Sequence, residues 1–123
     1  MGNCCQRKHI PRKMTHRVYA STEGCCFYCG TSLGKCDHRR DRWQIDHHYP
    51  RRYCGSDSES NYVPACLSCN AKKKAKYPTT FAMQYGLRPR CWHRDLGQDT
   101  FCVNRVHVSA ELYCTQHRFC CFR

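Results

Sequence analysis

The alternation of hydrophobic and polar positions along the chain predicts short elements separated by polar loops. Residues 15–23 favour a short helix, and Gly24 is a suitable terminator because glycine adopts the left-handed conformation at little cost. Residues 1–15 are basic and lack periodicity, and residues 31–42 are rich in glycine and charged side chains. We therefore expect irregular chain in both of these stretches.

The next stretch predicts two strands and a helix in close succession. Residues 43–47 alternate between apolar and polar side chains, as a half-buried strand does, and Pro50 ends that pattern. Residues 61–64 form a second extended piece after a polar loop. Residues 65–76 then favour a helix start and a basic helical stretch, which Pro78 interrupts.

The small size of the chain makes metal ligands or cross-links important. Its 123 residues correspond to one domain and offer little for a large core, but they include 14 cysteines and 8 histidines. Residues 1–20 contain no apolar stretch of the secretory kind, and no segment approaches the ~20 apolar residues of a membrane span. We therefore expect an intracellular protein whose reduced thiols hold zinc, with a secreted disulfide-rich protein as the alternative.

The charge of the chain predicts the class of its partner. The formal net charge is +12, and the basic residues occur in runs, which favours a polyanion. Nucleic acid is favoured over a membrane, because no amphipathic apolar helix accompanies the runs. The runs comprise Arg39, Arg40 and Arg42; Arg51 and Arg52; Lys72, Lys73, Lys74 and Lys76; and Arg88 and Arg90.

Two C-x2-C pairs are the strongest structural signal in the sequence. They are Cys26 with Cys29 and Cys66 with Cys69. Each C-x2-C turn directs both sulfurs toward one point, and two such turns complete a tetrahedral Cys4 zinc site. The second pair lies where the predicted helix begins, so zinc would join a knuckle to a helix start, an arrangement called a treble clef. Because protein ligands would fill all four positions, we expect this zinc to be structural.

Polar residues follow one another in a distinctive order between and after the two cysteine pairs. They are Asp46, His47, Pro50, Asn61, Asn70 and Lys73. From residue 25 to residue 76 the sequence resembles the HNH nuclease family, whose pattern is C-x2-C, D-H-x-x-P, N and C-x2-C-N-x-x-K. Every part of that pattern occurs here, and in the same order.

The resemblance implies an α+β fold of the ββα-metal type, two short strands and a helix, with a treble-clef zinc site. It implies that His47 is the general base that activates water, and that Asp46 and Asn70 bind a catalytic divalent ion. It gives Asn61 the role of holding the loop that presents the histidine, and it places Lys73 near the phosphates. The neighbouring candidates for contacts with nucleic acid are Arg51, Arg52, Lys72 and Lys74.

The chemistry of phosphodiester hydrolysis requires the same residue types. Water activation suits a base with a pKa near neutrality, which histidine has without a large shift. A carboxylate and an amide oxygen suit Mg2+ or Mn2+, and a hard cation stabilises the charge that gathers on the phosphodiester. A single carboxylate favours one metal ion over two. His48 is an alternative base, but strand alternation directs it away from the side that His47 faces.

A second zinc module is predicted in the C-terminal part. Its ligands would be Cys91, Cys102, Cys114 and His117, whose C-x10-C-x11-C-x2-H spacing resembles small Cys3His zinc modules. His93 and His107 are alternative ligands, and burial of the cysteines without metal is another explanation. A third site is conceivable from Cys4, Cys5 or Cys36 with His9 or His38. The cysteines left without a role are Cys4, Cys5, Cys25, Cys36, Cys54, Cys120 and Cys121.

Together these features predict a basic N-terminal arm over residues 1–20, a nuclease core over 21–80 and a zinc module over 88–123. The predicted function is a metal-dependent DNA endonuclease of a restriction-type or phage-encoded kind, with two structural zinc ions and one catalytic Mg2+ or Mn2+. RNA stays open as a substrate, and cutting both strands would require a homodimer or two events. The alternative is a zinc-dependent nucleic-acid-binding module without catalysis.

Overall fold

The computed structural model describes residues 9–95, 100–106, 112–114 and 116–117. The helices are α1 (Arg12–Ala20), α2 (Arg39–Arg42), α3 (Leu67–Lys73) and α4 (Pro78–Tyr85). The strands are β1 (Trp43–His47), β2 (Tyr62–Cys66), β3 (Arg94–Asp95) and β4 (Thr100–Phe101), and 3-10 turns lie at Cys36–His38, Arg51–Tyr53 and Glu59–Asn61. Within the described ranges, no helix has the length and apolar character needed to cross a membrane.

Two antiparallel strands followed directly by a helix form the centre of the protein. β1 pairs with β2 in a register that sets Trp43 opposite Cys66 and His47 opposite Tyr62. β2 ends at Cys66, and the sulfur of that residue accepts a hydrogen bond from the amide of Cys69 and so caps α3. The predicted order of two strands and a helix is therefore confirmed, and the fold is α+β with a ββα centre.

The turn that carries the first cysteine pair packs against β2. The amide of Phe27 donates to the carbonyl of Pro64 at 2.9 Å, and the amide of Gly30 donates back to the carbonyl of Cys26 at 2.9 Å. Gly30 has a φ of +82°, a conformation that side chains with a Cβ rarely adopt. This contact holds the knuckle over the strand that leads into α3, so the two cysteine pairs meet.

Aromatic side chains make up most of the core because large aliphatic ones are scarce. Phe27, Tyr28, Trp43, Tyr62 and Phe81 are each at most 1% exposed. The ring of Tyr28 stands edge-on to Phe27 at 5.4 Å and to Phe81 at 5.3 Å between centroids. Such pairs contribute about 0.5–1.5 kcal/mol each beyond the burial of their area. The knuckle, the hairpin and α4 are thereby joined in one core.

The first helix begins earlier than the sequence predicts. Pro11 lies before its first turn with extended backbone (φ −62°, ψ 152°), where the missing N–H of proline costs no hydrogen bond. The helix then runs Arg12–Ala20 and buries Val18, which is 1% exposed. Much of the stretch predicted as a basic arm is therefore a helix packed on the core, and residues 1–8 lie outside the described residues.

Other parts of the secondary structure also differ from the prediction. α3 ends at Lys73 instead of residue 76, because Lys74 has a φ of +51° that a helix cannot continue. Pro78 does not simply break a helix, since it lies in the first turn of α4, where proline is favoured. Residues 39–42, predicted to be irregular, form the single turn of α2.

The described residues of the C-terminal module pack directly on the rest of the protein. The ring of Phe101 lies 5.0 Å from that of Phe27, and Trp92 lies 5.8 Å from the same ring. The guanidinium of Arg90 donates to both carboxylate oxygens of Glu23 at 2.7 and 2.8 Å. The described residues of the predicted zinc module therefore share the hydrophobic core with the central fold.

Candidate active site and metal centres

The four cysteines of the two C-x2-C pairs meet at one point, as predicted. Their sulfur atoms all lie within 4.8 Å of one another, and Cys29 Sγ lies 3.8 Å from Cys66 Sγ. Cys26 and Cys69 are buried. The hydrogen bond with Cys26 and partial burial raise the pKa of the Cys29 thiol. Crowded thiols of this kind become thiolates only beside a cation, so the donor set fits a structural zinc ion.

The second predicted ligand set also comes together. The ligand atoms of Cys91, Cys102, Cys114 and His117 lie within 4.8 Å of one another. His117 Nδ1 lies 3.6 Å from the sulfur of Cys91 and 3.4 Å from that of Cys114. Burial raises the pKa of the Cys91 thiol to about 12, which again calls for a cation. Three sulfurs and one imidazole nitrogen fit a second structural zinc.

Where the structure describes them, the alternative histidine ligands and the remaining cysteines do not belong to either cluster of ligands. His93 stacks on the ring of His117 at 3.9 Å and is not part of the ligand set, and His107 lies outside the described residues. No third group of ligands occurs in the described part of the chain, where Cys25, Cys36 and Cys54 are free. The other cysteines left without a role lie outside that part and are Cys4, Cys5, Cys120 and Cys121.

One cavity brings together the residues predicted to bind the catalytic metal and to activate water. Its volume is about 810 Å³, and Asp46, His47 and Asn70 all line it. β1 supplies the first two side chains at its end, and the middle of α3 supplies the third. Basic side chains surround these three, and they are Arg39, Arg40, Arg51, Arg52 and Lys74.

Asp46 is held on one side by buried partners. The residue is 6% exposed, and its Oδ2 accepts hydrogen bonds from the hydroxyl of Tyr28 at 2.6 Å and from Nζ of Lys73 at 3.0 Å. Burial raises the pKa of the Asp46 carboxyl, while the charge of Lys73 and the Tyr28 hydroxyl oppose that rise. Among the described residues no hydrogen bond is made to Oδ1, which leaves that oxygen for a metal ion.

Lys73 is buried beside Asp46. It is 0% exposed, and its Nζ contacts Asp46 and donates to the carbonyl of His47 at 3.0 Å. Its contact with a phosphate stays a prediction, and what the structure adds is this burial. The cause is its place on the face of α3 that packs against β1. Of the other lysines in the run, Lys74 lines the cavity, and Lys72 lies over the ring of Tyr85 at 5.3 Å.

Asn61 connects the two ends of the loop between β1 and β2. Its Oδ1 accepts from the amide of Tyr49 at 2.9 Å, and its Nδ2 donates to the carbonyls of Tyr49 at 2.9 Å and Ser56 at 3.0 Å. Its own carbonyl accepts from the amide of His48 at 2.9 Å. These contacts fix the chain directly after His47, which is what the predicted loop-holding role requires.

His47 has a carboxylate partner that the sequence did not reveal. Its Nε2 lies 2.7 Å from Oδ1 of Asp57, whose Oδ2 lies 3.4 Å from the guanidinium of Arg51. The ring of His47 also stands edge-on to Tyr62 at 5.2 Å. Asp57 lies in the polar loop ten residues after His47. No local spacing marks it, because Asp57 lies in irregular chain between two 3-10 turns, where no periodicity predicts the direction of a side chain.

His48 lies on the other side of the strand. It is 1% exposed and stacks on Trp92 at 3.9 Å, with its Nδ1 3.4 Å from the hydroxyl of Tyr28. Burial lowers the pKa of the His48 imidazole well below its ordinary value, and the charge of Lys73 adds to that effect. His48 therefore packs in the core, and it is His47 that faces the cavity.

The comparisons with known proteins agree with this geometry. Residues 26–79 match the family model described as HNH endonuclease. A solved structure, "Crystal structure of the Type II-C Cas9 enzyme from Actinomyces naeslundii", is similar with a TM-score of 0.50 and 23% sequence identity. The similarity covers 66% of this chain but only 9% of the Cas9 chain, so it indicates the fold alone. The curated proteins gave no match. The segment from residue 26 to 79, with its ββα centre and Cys4 cluster, is therefore similar to the HNH endonuclease family over less than half of the chain.

Proposed function

We propose that this chain is a metal-dependent endonuclease that hydrolyses DNA phosphodiester bonds with one divalent ion and with His47 as general base. The observation that carries the proposal is that Asp46, His47 and Asn70 line a single cavity. Each has a different chemical capacity there: a carboxylate oxygen, an imidazole and an amide oxygen. These are the groups that metal-assisted hydrolysis requires around a reacting phosphate.

The donor set of the cavity fits a hard divalent cation. Asp46 offers one carboxylate oxygen and Asn70 an amide oxygen, which are ligands that Mg2+ and Mn2+ accept. When bound, such an ion supplies positive charge where negative charge gathers on the phosphate oxygens. With one carboxylate in the site, one ion is expected. Lys73 and Tyr28 hold Asp46 in a fixed orientation toward it.

His47 performs the proton transfer in this proposal. Its imidazole takes a proton from the attacking water, a step for which histidine is the side chain that enzymes use most often. Asn61 holds the backbone after His47 through the contacts with Tyr49 and Ser56, so the ring is presented in one direction. The arrangement preorganises the base before a substrate arrives.

The basic residues around the cavity favour a nucleic-acid strand as the occupant. Arg51, Arg52 and Lys74 line it together with Arg39 and Arg40. A second cavity of about 580 Å³ extends toward α1, and its lining includes Arg39, Arg40 and Arg12 together with the acidic residues Asp37 and Asp41. Positive charge around the first cavity attracts phosphates independently of sequence.

Several finer properties belong to the same proposal. DNA is the expected substrate and RNA the alternative, because charge attracts either. One active site would nick, and a homodimer would be needed to cut both strands at once. Both zinc sites require reduced thiols, which favours an intracellular protein. A restriction-type or phage-encoded role is consistent with a small nuclease of this kind.

A zinc-dependent binding module without catalysis is the second candidate function. It would need the basic surface and the two zinc sites but not the cavity in which a carboxylate, an imidazole and an amide meet. The two proposals differ in one measurable outcome, which is strand cleavage.

Nicking of supercoiled plasmid in Mg2+ or Mn2+ tests the proposal. The zinc content of the purified protein is measured first, and the wild type should then convert the plasmid to the open circle. His47→Ala should decrease the cleavage rate by at least about 100-fold, which is the lower end of the range for general acid–base catalysis. His16→Ala, an exposed histidine on α1, serves as the matched control and should cleave like wild type. Tight, salt-dependent binding without cleavage in any metal would refute the enzyme and favour the binding module.

A further inference from the structure

The contact between Asp57 and His47 fixes which ring nitrogen carries hydrogen. Asp57 Oδ1 lies 2.7 Å from His47 Nε2, and the side chains are 30% and 23% exposed. A carboxylate only accepts hydrogen bonds, so Nε2 must be the donor. In a neutral imidazole the lone pair then belongs to Nδ1. The contact therefore selects one of the two neutral tautomers of His47.

Asp57 is itself restrained from two directions. Its Oδ2 lies 3.4 Å from Nη2 of Arg51, so its two oxygens serve different partners. The loop that carries it is held by Asn61, which donates to the carbonyl of Ser56 at 3.0 Å. A carboxylate oriented in this way can orient the ring that it contacts.

We propose that Asp57 is a positioning residue for hydrolysis, which accepts the Nε2 hydrogen of His47 and leaves Nδ1 to take the proton of the attacking water. This inference rests on the proposed function of His47 as general base. As the water oxygen bonds to phosphorus, its proton moves to Nδ1, and the bond from phosphorus to the leaving 3′ oxygen breaks. The leaving oxygen takes a proton from solvent, and His47 returns its proton to solvent. The carboxylate of Asp57 stabilises the imidazolium that exists between these events.

The sign of the charge change separates this role from a general electrostatic effect. Removing a negative charge makes the basic surface more positive, which strengthens the attraction of phosphates and should lower KM. A positioning role predicts that kcat falls, by roughly 10- to 100-fold, as is common when the partner that orients a reactive histidine is removed. A lower kcat with an unchanged or lower KM is therefore the expected signature.

Two substitutions of Asp57 and one control test the proposal by kinetics. Asp57→Ala removes the acceptor, and Asp57→Asn keeps the shape but supplies an amide that can donate as well as accept. Both should lower kcat roughly 10- to 100-fold with KM unchanged or lower. Asp41→Asn removes the same charge from an exposed position on α2, so it should keep the kcat of wild type, with KM unchanged or lower. Equal thermal midpoints and equal zinc content across the variants establish that folding is unchanged.

The tautomer of His47 supplies a readout that does not depend on cleavage. In protein labelled with 15N-histidine, the His47 signals are those missing from His47→Ala. Wild type should show hydrogen on Nε2 near neutral pH, and Asp57→Ala should show a mixture of tautomers. Hydrogen on Nδ1 in wild type, or a kcat within twofold of wild type in both variants, would overturn the proposal. Absence of cleavage by wild type would refute the proposed function instead, while the tautomer would still decide whether Asp57 orients the ring.

Discussion

Replacing Lys73 by methionine distinguishes a buried ion pair from a phosphate contact. Lys73 is 0% exposed, with Nζ 3.0 Å from Asp46 Oδ2 and 3.0 Å from the carbonyl oxygen of His47. Methionine is similar in length and removes the charge. Asp46, whose side chain is 8% exposed, would keep only the hydroxyl of Tyr28 as a partner on Oδ2. The variant therefore leaves a carboxylate buried without its counter-charge.

The expected loss of stability follows from that burial. Removing one partner of a buried ion pair costs about 3–5 kcal/mol, but the carboxyl can avoid part of this cost by taking up a proton. Burial already raises the pKa of Asp46 against the opposing effect of Lys73, and without Lys73 that pKa rises further. We therefore expect Lys73→Met to lower the free energy of unfolding by about 2–4 kcal/mol at neutral pH.

The pH dependence of that loss has a definite sign. A carboxyl whose pKa is raised on folding binds more protons in the folded state than in the unfolded state, so stability falls as pH rises. The deficit of Lys73→Met should therefore be largest at neutral pH and should shrink as pH falls toward 3.8, the ordinary pKa of aspartate. Comparison with a control variant at each pH removes the separate effect of acid on the zinc sites.

Urea unfolding of zinc-loaded protein is the assay, and Lys74→Met is the matched control. Lys74 is exposed and lines the cavity, so its replacement should change stability by no more than about 0.5 kcal/mol but should weaken DNA binding. The double variant Asp46→Asn with Lys73→Met should recover part of the lost stability, because neither charge is then buried alone. If Lys73→Met proved as stable as wild type and weakened DNA binding as Lys74→Met does, the reasoning would be refuted.

Two further predictions concern the second zinc site and the basic lining of the cavity. Cys102→Ser removes one of the four ligands of the second site, so metal analysis should find about one zinc per chain instead of about two. The control variant Cys54→Ser, at an exposed cysteine, should keep both zinc ions. Unchanged zinc content in Cys102→Ser would contradict this ligand set. Arg39 and Arg40, replaced together by alanine, test the basic lining through the salt dependence of DNA binding, measured by titration of fluorescent DNA. The plot of log binding constant against log salt concentration should become less steep, by about 0.9 for each phosphate that the protein no longer neutralises. Lys13→Ala, exposed on α1, should leave that slope unchanged, and equal slopes for all three proteins would exclude these arginines from the DNA path.

The parts of this structure that the sequence predicts are those encoded by local spacing. A C-x2-C turn brings two sulfurs together whatever the rest of the chain does, so the pairing of Cys26 with Cys29 follows from their spacing alone. Alternation over 43–47 encodes a strand for the same reason, since neighbouring side chains face opposite sides. Boundaries were less predictable, because the start of α1 depends on Pro11 and its packing on the core depends on Val18.

The burial of Lys73 depends on contacts between distant parts of the chain, which the composition of the lysine run did not reveal. Lys73 belongs to a run of lysines, which ordinarily indicates a solvated helix face. Yet Lys73 follows Cys69 by four residues, and positions i and i+4 share one face of a helix. Cys69 is buried because its sulfur belongs to the cluster of four cysteines, so Lys73 is buried with it. That spacing was the available signal, and it outweighs the composition of the run.

The two adjacent histidines show how packing decides chemistry at this site. Alternation places His47 and His48 on opposite sides of β1 but does not say which side becomes the cavity. The decision comes from Trp92, which follows the predicted zinc ligand Cys91 and stacks on His48 at 3.9 Å, in contact with the aromatic core. Because that aromatic contact holds His48 inside, His47 faces the cavity that Asp46 and Asn70 also line. The C-terminal Cys/His module therefore contributes to the candidate site by fixing the side of the strand on which the proposed base lies.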